Sequence, residues 1–262
     1  MCSTWTPLLL PHIGRVNRLM PPKKPQAQSK TAPVTDAPPQ HPVIYLEFST
    51  TRVLEQPNFD ESEEAHVPPQ GPRVIGRIEF ELFSDVVPKT SENFRQLCLG
   101  AVVGDKKAKE SKTCSYRGTR ILRMTDSMIQ MGDVTHREDG RGQECIYGAA
   151  TFDDEHFGAV SHERGTLTMV NSGPNTNGCQ FAVCLNSAPY LNSLHVSFAK
   201  MLPGPSNEEA LALLIDELGM VEDVDRNGKF GHGCPVTISA CGMSETPAPP
   251  PPGNGPRKST SS

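Results

Sequence analysis

Four arrangements of reactive side chains stand out in this 262-residue chain, and each would imply a definite chemistry. Asp223-Val224-Asp225-Arg226-Asn227-Gly228 copies the first half of a calcium loop. Position twelve, where a bidentate Glu must close the shell around the ion, is Cys234 instead. Gly140-Arg141-Gly142 opens like a dinucleotide fingerprint but lacks the spacing and the following helix that hold a pyrophosphate. The histidines, His195 among them, have no Ser or Cys in a nucleophile elbow nearby, so a hydrolytic triad has no support; His162 and His232 read as loop residues. The eight cysteines (2, 98, 114, 145, 179, 184, 234, 241) form no Cys-x-x-Cys pair and no second matching pair, which argues against structural zinc. They read as reduced thiols of a cytosolic protein. Read in isolation, Arg123 is a surface strand cation, and Met128 and Leu191 are core residues.

The elements that would position these side chains are mainly strands. Ile78, Phe80 and Leu82 alternate with Arg77, Glu79 and Glu81, the period of a half-buried strand. Similar runs occur at Val43–Phe48, Thr119–Met124, Met128–Met131, Thr166–Val170, Gln180–Leu185, Val196–Lys200 and Val236–Cys241, giving about eight strands between Gly, Asn and Pro turns. A helix is expected after Pro88, burying Phe94, Leu97 and Cys98. A second is expected from Ser206, where Ser206-Asn207-Glu208-Glu209 spells a capping box; it buries Ala210, Leu213 and Leu214 and stops at Gly219. The expected fold class is mainly β: a closed eight-stranded antiparallel barrel capped by two helices. Two insertions, 55–72 with Asp60-Glu61-Ser62-Glu63-Glu64 and 100–115 with Lys106, Lys107, Lys109 and Lys112, read as solvated loops.

Composition sets the outer limits. Prolines crowd residues 1–42 and 243–262, which cannot bury enough apolar surface to offset ordering entropy. The domains expected are therefore a disordered Pro-rich, basic extension at 1–42, a folded unit at 43–242 and a disordered Pro-rich tail at 243–262. No apolar run nears the ~18 residues of a membrane-spanning helix. A net charge of −5 argues against a nucleic-acid partner. The first 35 residues contain no Asp or Glu but do contain Arg15, Arg18, Lys23, Lys24 and Lys30, as a mitochondrial transit peptide does. Pro7 and Pro11 break the helix such a peptide needs, so the expected location is the cytoplasm, with mitochondria as the alternative.

Longer runs carry a resemblance. Ile75-Gly76-Arg77-Ile78-Glu79-Phe80-Glu81-Leu82-Phe83, Val87-Pro88-Lys89-Thr90-Ser91-Glu92-Asn93-Phe94 and Asn171-Ser172-Gly173-Pro174-Asn175-Thr176-Asn177-Gly178-Cys179-Gln180-Phe181 resemble a cyclophilin. Tyr116-Arg117-Gly118, Gly132-Asp133, Ile146-Tyr147-Gly148, Leu191, His195-Val196-Ser197-Phe198 and Thr237-Ile238-Ser239-Ala240-Cys241-Gly242 follow in that family's order. The resemblance spans about 43–242. It implies peptidyl-prolyl cis-trans isomerase activity without a cofactor or metal, acting on proline-containing segments of client proteins and assisting their folding. The chemistry suits the lack of a nucleophile. Rotation about an amide costs ~18–20 kcal/mol, and it needs only a dry pocket and a donor that weakens amide resonance.

By the same resemblance, Arg123 matches the catalytic arginine and Gln130 the glutamine that supports it. Met128, Asn171, Ser172, Gln180, Ala182, Tyr190, Leu191 and His195 fall at substrate-binding positions. Two aromatic walls are missing, with Ala182 and Ser127 where phenylalanines are usual, and Val170 and Ser172 flank Asn171. Tyr190 replaces the tryptophan of cyclosporin-sensitive members, so cyclosporin binding is expected to be weak. These departures leave open a second reading, a catalytically weak proline-binding module. The 100–115 insertion resembles a divergent-loop subgroup, which implies a redox pair at Cys98 and Cys184 and a loop-holding Glu144; two buried unpaired thiols are the alternative. The Pro247–Pro252 run fits an SH3-, WW- or profilin-like partner. A monomer is expected.

Overall fold

The computed structural model describes residues 41–52, 71–103, 112–137, 139–231 and 234–245. All of these belong to one unit, Val34–Ser262. The basic N-terminal extension, the acidic stretch 53–70, Lys106, Lys107 and Lys109, His232 and the Pro247–Pro252 run lie outside the described residues.

Eight strands form a single sheet. They are β1 (Val43–Thr50), β2 (Arg73–Leu82), β5 (Ile121–Met124), β6 (Met128–Met131), β7 (Thr166–Met169), β8 (Phe181–Cys184), β9 (Ser197–Met201) and β10 (Val236–Met243). The order is β10-β1-β2-β9-β7-β8-β6-β5, every neighbouring pair antiparallel. The two ends of this sheet meet at an Arg120↔Thr237 bridge, where Gly118 N–H donates to Ile238 O (2.7 Å) and Ile238 N–H to Thr119 O (2.9 Å). The barrel is thus nearly closed, sewn by a few bonds in place of a full ladder, which removes most of the free strand edge. All eight strands expected from the sequence are present. The last one reaches slightly further, since β10 ends at Met243 and Ser244 N–H still bonds Val43 O (2.9 Å).

The alternation in β2 does what period two requires. Ile78, Phe80 and Leu82 are buried in the barrel while Arg77 is exposed and Glu79 and Glu81 are half-buried. Helix α1 (Pro88–Leu99) plugs the barrel with Phe94, whose ring lies 5.0 Å from Tyr116, 4.8 Å from Phe181 and 4.9 Å from Phe198. Its N-terminus has no local side-chain cap. The Glu155 carboxylate takes that place, accepting Lys89 N–H (3.0 Å), Thr90 N–H (2.7 Å) and the Thr90 hydroxyl (2.7 Å).

Helix α2 (Pro205–Gly219) corrects the reading of its start and of its face. It begins at Pro205, Gly204 is the N-cap, and the Ser206 capping box does not form. Asn207 is turned inward instead, accepting Glu79 N–H (2.9 Å) and donating to Leu202 O (3.0 Å). Leu213, expected inside, is 46% exposed, and Leu211 is buried in its place. The run Leu211-Ala212-Leu213-Leu214-Ile215 is apolar on every side, so periodicity alone cannot choose the face. The choice falls to the contact of Ala210 with Gly76, where a Cβ on Gly76 would lie 2.7 Å from the Ala210 Cβ.

The second insertion is not wholly a loop. Its ends form a two-stranded ribbon, β3 (Ala101–Val103) with β4 (Lys112–Cys114), paired Ala101↔Cys114 to Val103↔Lys112. Ala101, Val103 and Cys114 are buried, which is why these short runs hold as strands.

Candidate active site

The site is a row of cross-strand partners. Arg123 on β5 faces Gln130 on β6, Gln130 faces Ala182 on β8, and Ala182 faces Thr168 on β7. On its other side the β5 backbone is held by residues 228–230, through Met124 N–H to Gly228 O (2.8 Å) and Phe230 N–H to Leu122 O (3.0 Å). The Arg123 side chain is half-buried, and its Nε is enclosed without a hydrogen-bond partner. A guanidinium is never deprotonated in a protein, so this is a standing donor. Such groups are rare, because an unmet buried donor costs about 1–3 kcal/mol.

Gln130 is aimed by a relay. Its Nε2 donates to Gln180 Oε1 (2.8 Å), and Gln180 Nε2 donates to Gly140 O (3.0 Å) and Gly142 O (2.7 Å). Gln180 is fully buried, so it is a supporting residue behind the site and not an open contact. The Gly140-Arg141-Gly142 segment, which failed as a nucleotide motif, serves as the acceptor that fixes this relay.

The second wall comes from the segment after β8. Leu191, Ala188 and Cys184 pack with Met128 in a small cluster separate from the barrel core. Tyr190 and Leu191 lie on a 3-10 turn, Pro189–Leu191. His195 N–H bonds Leu191 O (3.1 Å), and its Nδ1 lies 3.0 Å from Met169 O, so Nδ1 carries the proton in the neutral ring. Asn171 joins this wall by donating Nδ2 to Leu194 O (2.9 Å). Ser172 is exposed in the adjacent turn, its N–H taken by Thr176 Oγ1 (2.9 Å). Arg123, Gln130, Met128, Ala182, Leu191, His195 and Asn171 are therefore tied into two linked walls.

Ser127 and Tyr190 show something the sequence did not. The Tyr190 hydroxyl donates to Ser127 Oγ (2.7 Å), joining the β5–β6 turn to the 3-10 turn. The same β5–β6 turn receives Leu185 N–H on Ser127 O (2.8 Å) and Asn186 Nδ2 on Asp126 O (2.6 Å). One position expected to lack an aromatic wall, Ser127, thus forms a polar latch with the Tyr190 that stands in the tryptophan position. His162, read as an ordinary loop residue, is only 2% exposed and hydrogen-bonded at both ring nitrogens. No sequence signal distinguished it.

Cys98 and Cys184 are both buried and unpaired, which is the second of the two readings and not the redox pair. Cys98 has Cys241 as its thiol neighbour, with Cys241 Sγ 3.3 Å from Cys98 O, and burial pushes the Cys98 thiol well up. Cys184 sits instead in the Met128 cluster. Glu144 and Lys112 line a cavity of about 510 Å³ beside the β3–β4 ribbon, together with Thr135, Arg137, Arg141 and Gln143.

Comparison with known proteins agrees with this geometry. A family model described as cyclophilin type peptidyl-prolyl cis-trans isomerase/CLD matches residues 71–224. The chain is 38% identical over 169 residues to a peptidyl-prolyl cis-trans isomerase H of Rhizopus delemar, covering 64% of this chain and 86% of that one. It is 40% identical over 158 residues to peptidyl-prolyl cis-trans isomerase CYP22 of Arabidopsis thaliana, covering 55% and 76%. To a peptidyl-prolyl cis-trans isomerase H of Mycosarcoma maydis it is 45% identical over 129 residues, covering 49% and 79%. A nearly closed antiparallel barrel with two helices and relatives that share an isomerase name lead to one conclusion: this chain belongs to the cyclophilin-type peptidyl-prolyl cis-trans isomerases.

Proposed function

We propose that isomerisation is carried by Arg123, with Gln130 aiming it and Met128, Leu191 and His195 holding the proline ring. The observation that supports this most directly is the enclosed, unpartnered Nε of Arg123. In the planar ground state the proline nitrogen has given its lone pair to the carbonyl and accepts poorly. As the bond twists, resonance is lost and the nitrogen becomes basic, so a fixed N–H beside it binds the transition state better than either ground state. No proton moves and no covalent bond forms.

The polar latch lowers the apolar area available to the proline ring. Each large side chain lost from such a wall forgoes about 1.5–3 kcal/mol of burial. Turnover on simple X-Pro peptides is accordingly modest and cyclosporin binds weakly, Tyr190 being 59% exposed with its hydroxyl engaged by Ser127. The clients are proline-containing segments of folding proteins, and a cytosolic setting is supported by the reading of the cysteines as reduced thiols and by Pro7 and Pro11, which break a transit-peptide helix. The second reading, a proline-binding module with residual turnover, is favoured by Ala182, which is fully buried and offers no ring.

Exchange NMR on a panel of X-Pro peptides separates the two. The full chain is expected to accelerate cis-trans exchange, and Arg123→Ala to cut kcat/KM by about 10- to 100-fold, the worth of one charged hydrogen bond. Peptide-induced shifts at Met128 and Leu191 without acceleration would establish the module instead.

A further inference from the structure

His162 uses both ring nitrogens and its carbonyl oxygen on two opposing parts of the site. Its Nδ1 lies 2.7 Å from Asn192 Oδ1, its Nε2 lies 2.9 Å from Thr168 Oγ1, and its carbonyl oxygen accepts Ala188 N–H at 2.8 Å. Ala188 and Asn192 are the residues on either side of the Pro189–Leu191 turn, so one residue grips both ends of the segment bearing Tyr190 and Leu191. The Thr168 contact runs the other way, since Thr168 is the cross-strand partner of Ala182, and Ala182 of Gln130. His162 therefore links the second wall to the row of strands that ends in Arg123.

The proton is placed by its partners. Asn192 presents a carbonyl oxygen, so Nδ1–H donates to it, and Nε2 is left to accept the Thr168 hydroxyl proton, being its nearer acceptor at 2.9 Å against Val196 O at 3.3 Å. Burial favours the uncharged ring, and neighbouring His195 acts in the same direction against the opposing Asn192 bond. Both ring contacts are then satisfied in a single tautomer.

We infer that His162 is a positioning residue for the isomerase site: by holding Ala188 and Asn192 it fixes the Leu191 wall against Met128 at the distance a proline ring needs. The inference rests on the assignment of that pocket to substrate made above. Because Arg123 stands on the opposite wall and is not touched, loosening His162 affects binding of the ring and leaves the twisting step alone.

The test uses full-length protein and compares His162→Asn, His162→Gln and Asn192→Ala. An Asn amide nitrogen occupies the place of Nδ1 and keeps the Asn192 bond; a Gln amide reaches the place of Nε2 and keeps only the Thr168 bond. Loss of one hydrogen bond predicts KM for an X-Pro peptide about 3- to 10-fold higher in His162→Gln and Asn192→Ala, with kcat unchanged. His162→Asn keeps the wild-type KM, although it packs less well and melts lower. Asn192 is exposed, so its variant folds even where a His162 variant does not. If KM is the same in all three variants, or follows Tm alone, His162 is only filling space and the inference fails. Arg123→Ala serves as the control. Should it leave turnover intact, the pocket assignment falls and this inference with it; should it abolish turnover while KM stays unmoved in the His162 and Asn192 variants, only this inference falls.

Discussion

Arg123 carries a permanent charge with its Nε enclosed and unpartnered, and an unmet buried donor is costly to the free protein. Removing it should therefore separate function from stability. Arg123→Ala is expected to lose most turnover while Tm holds or rises, since the enclosed donor is relieved; a marked fall in Tm measured by calorimetry would show instead that the guanidinium is structural. Ser127 and Tyr190 belong to the same scale. Ser127 is half-buried and the Tyr190 side chain whose hydroxyl it meets is exposed, so a ring placed there can displace that hydroxyl toward solvent. Ser127→Phe gives up the Tyr190 bond and restores an apolar wall, and peptide affinity measured by titration should tighten about tenfold, from ~1.5 kcal/mol of added burial. No gain, or a loss, would mean that the polar latch is itself part of the substrate surface.

At the scale of elements, two contacts decide where the helices sit. Helix α1 has no cap of its own and depends on Glu155, a residue more than fifty positions away in sequence, for its first two amides. Helix α2 seats Ala210 directly on Gly76 of β2. A methyl at Gly76 meets backbone as well as side chain there, with the Ala210 Cα at 3.1 Å, so the helix must move to admit it. Gly76→Ala is expected to lower stability by about 1–3 kcal/mol in urea unfolding, with kcat preserved because the site lies on other strands. Unchanged stability would mean that α2 slides freely on the sheet. The β3–β4 ribbon shows the same dependence on context, since three-residue strands hold only because Ala101, Val103 and Cys114 find the core.

For the molecule as a whole, the distinctive tie is Glu217. Its carboxylate is buried on α2 and receives the Thr50 hydroxyl (2.9 Å), Arg52 Nε (2.8 Å) and Nη2 (3.2 Å), and Arg73 Nη2 (2.6 Å). Arg52 and Arg73 flank the acidic insertion, so this one carboxylate closes its two stems against the helix. Burial pushes the Glu217 carboxyl up, but the bonds from Arg52, Thr50 and Arg73 together outweigh it and hold the group below its usual value. The sign follows: a lowered folded value stabilises at pH above the unfolded value and loses that stability as pH falls through the folded one. Glu217→Gln should cost about 1–2 kcal/mol near neutrality, since Arg52 and Arg73 keep much of their hydration when left unmatched. The gap between wild type and variant should narrow steadily in unfolding experiments carried below the usual carboxylate range. A gap that stays constant with pH would mean that Glu217 acts through shape and not charge.

Much of this was legible beforehand, and the boundary has a physical reason. Period-two alternation such as Ile78, Phe80 and Leu82 states directly which side chains must be inside, so all eight barrel strands could be read from local pattern. Arg123, Gln130, Met128 and Leu191 were singled out only through resemblance to a known family, because an isolated arginine on a strand carries no local signal of a role. The face of α2, the cap of α1, the Cys98–Cys241 contact, the Tyr190–Ser127 latch and the two-sided grip of His162 were not readable. Each joins residues far apart in the chain or chooses among equally apolar neighbours. Such choices depend on which atoms the closed barrel brings within hydrogen-bond or van der Waals distance, and only the tertiary structure settles those distances.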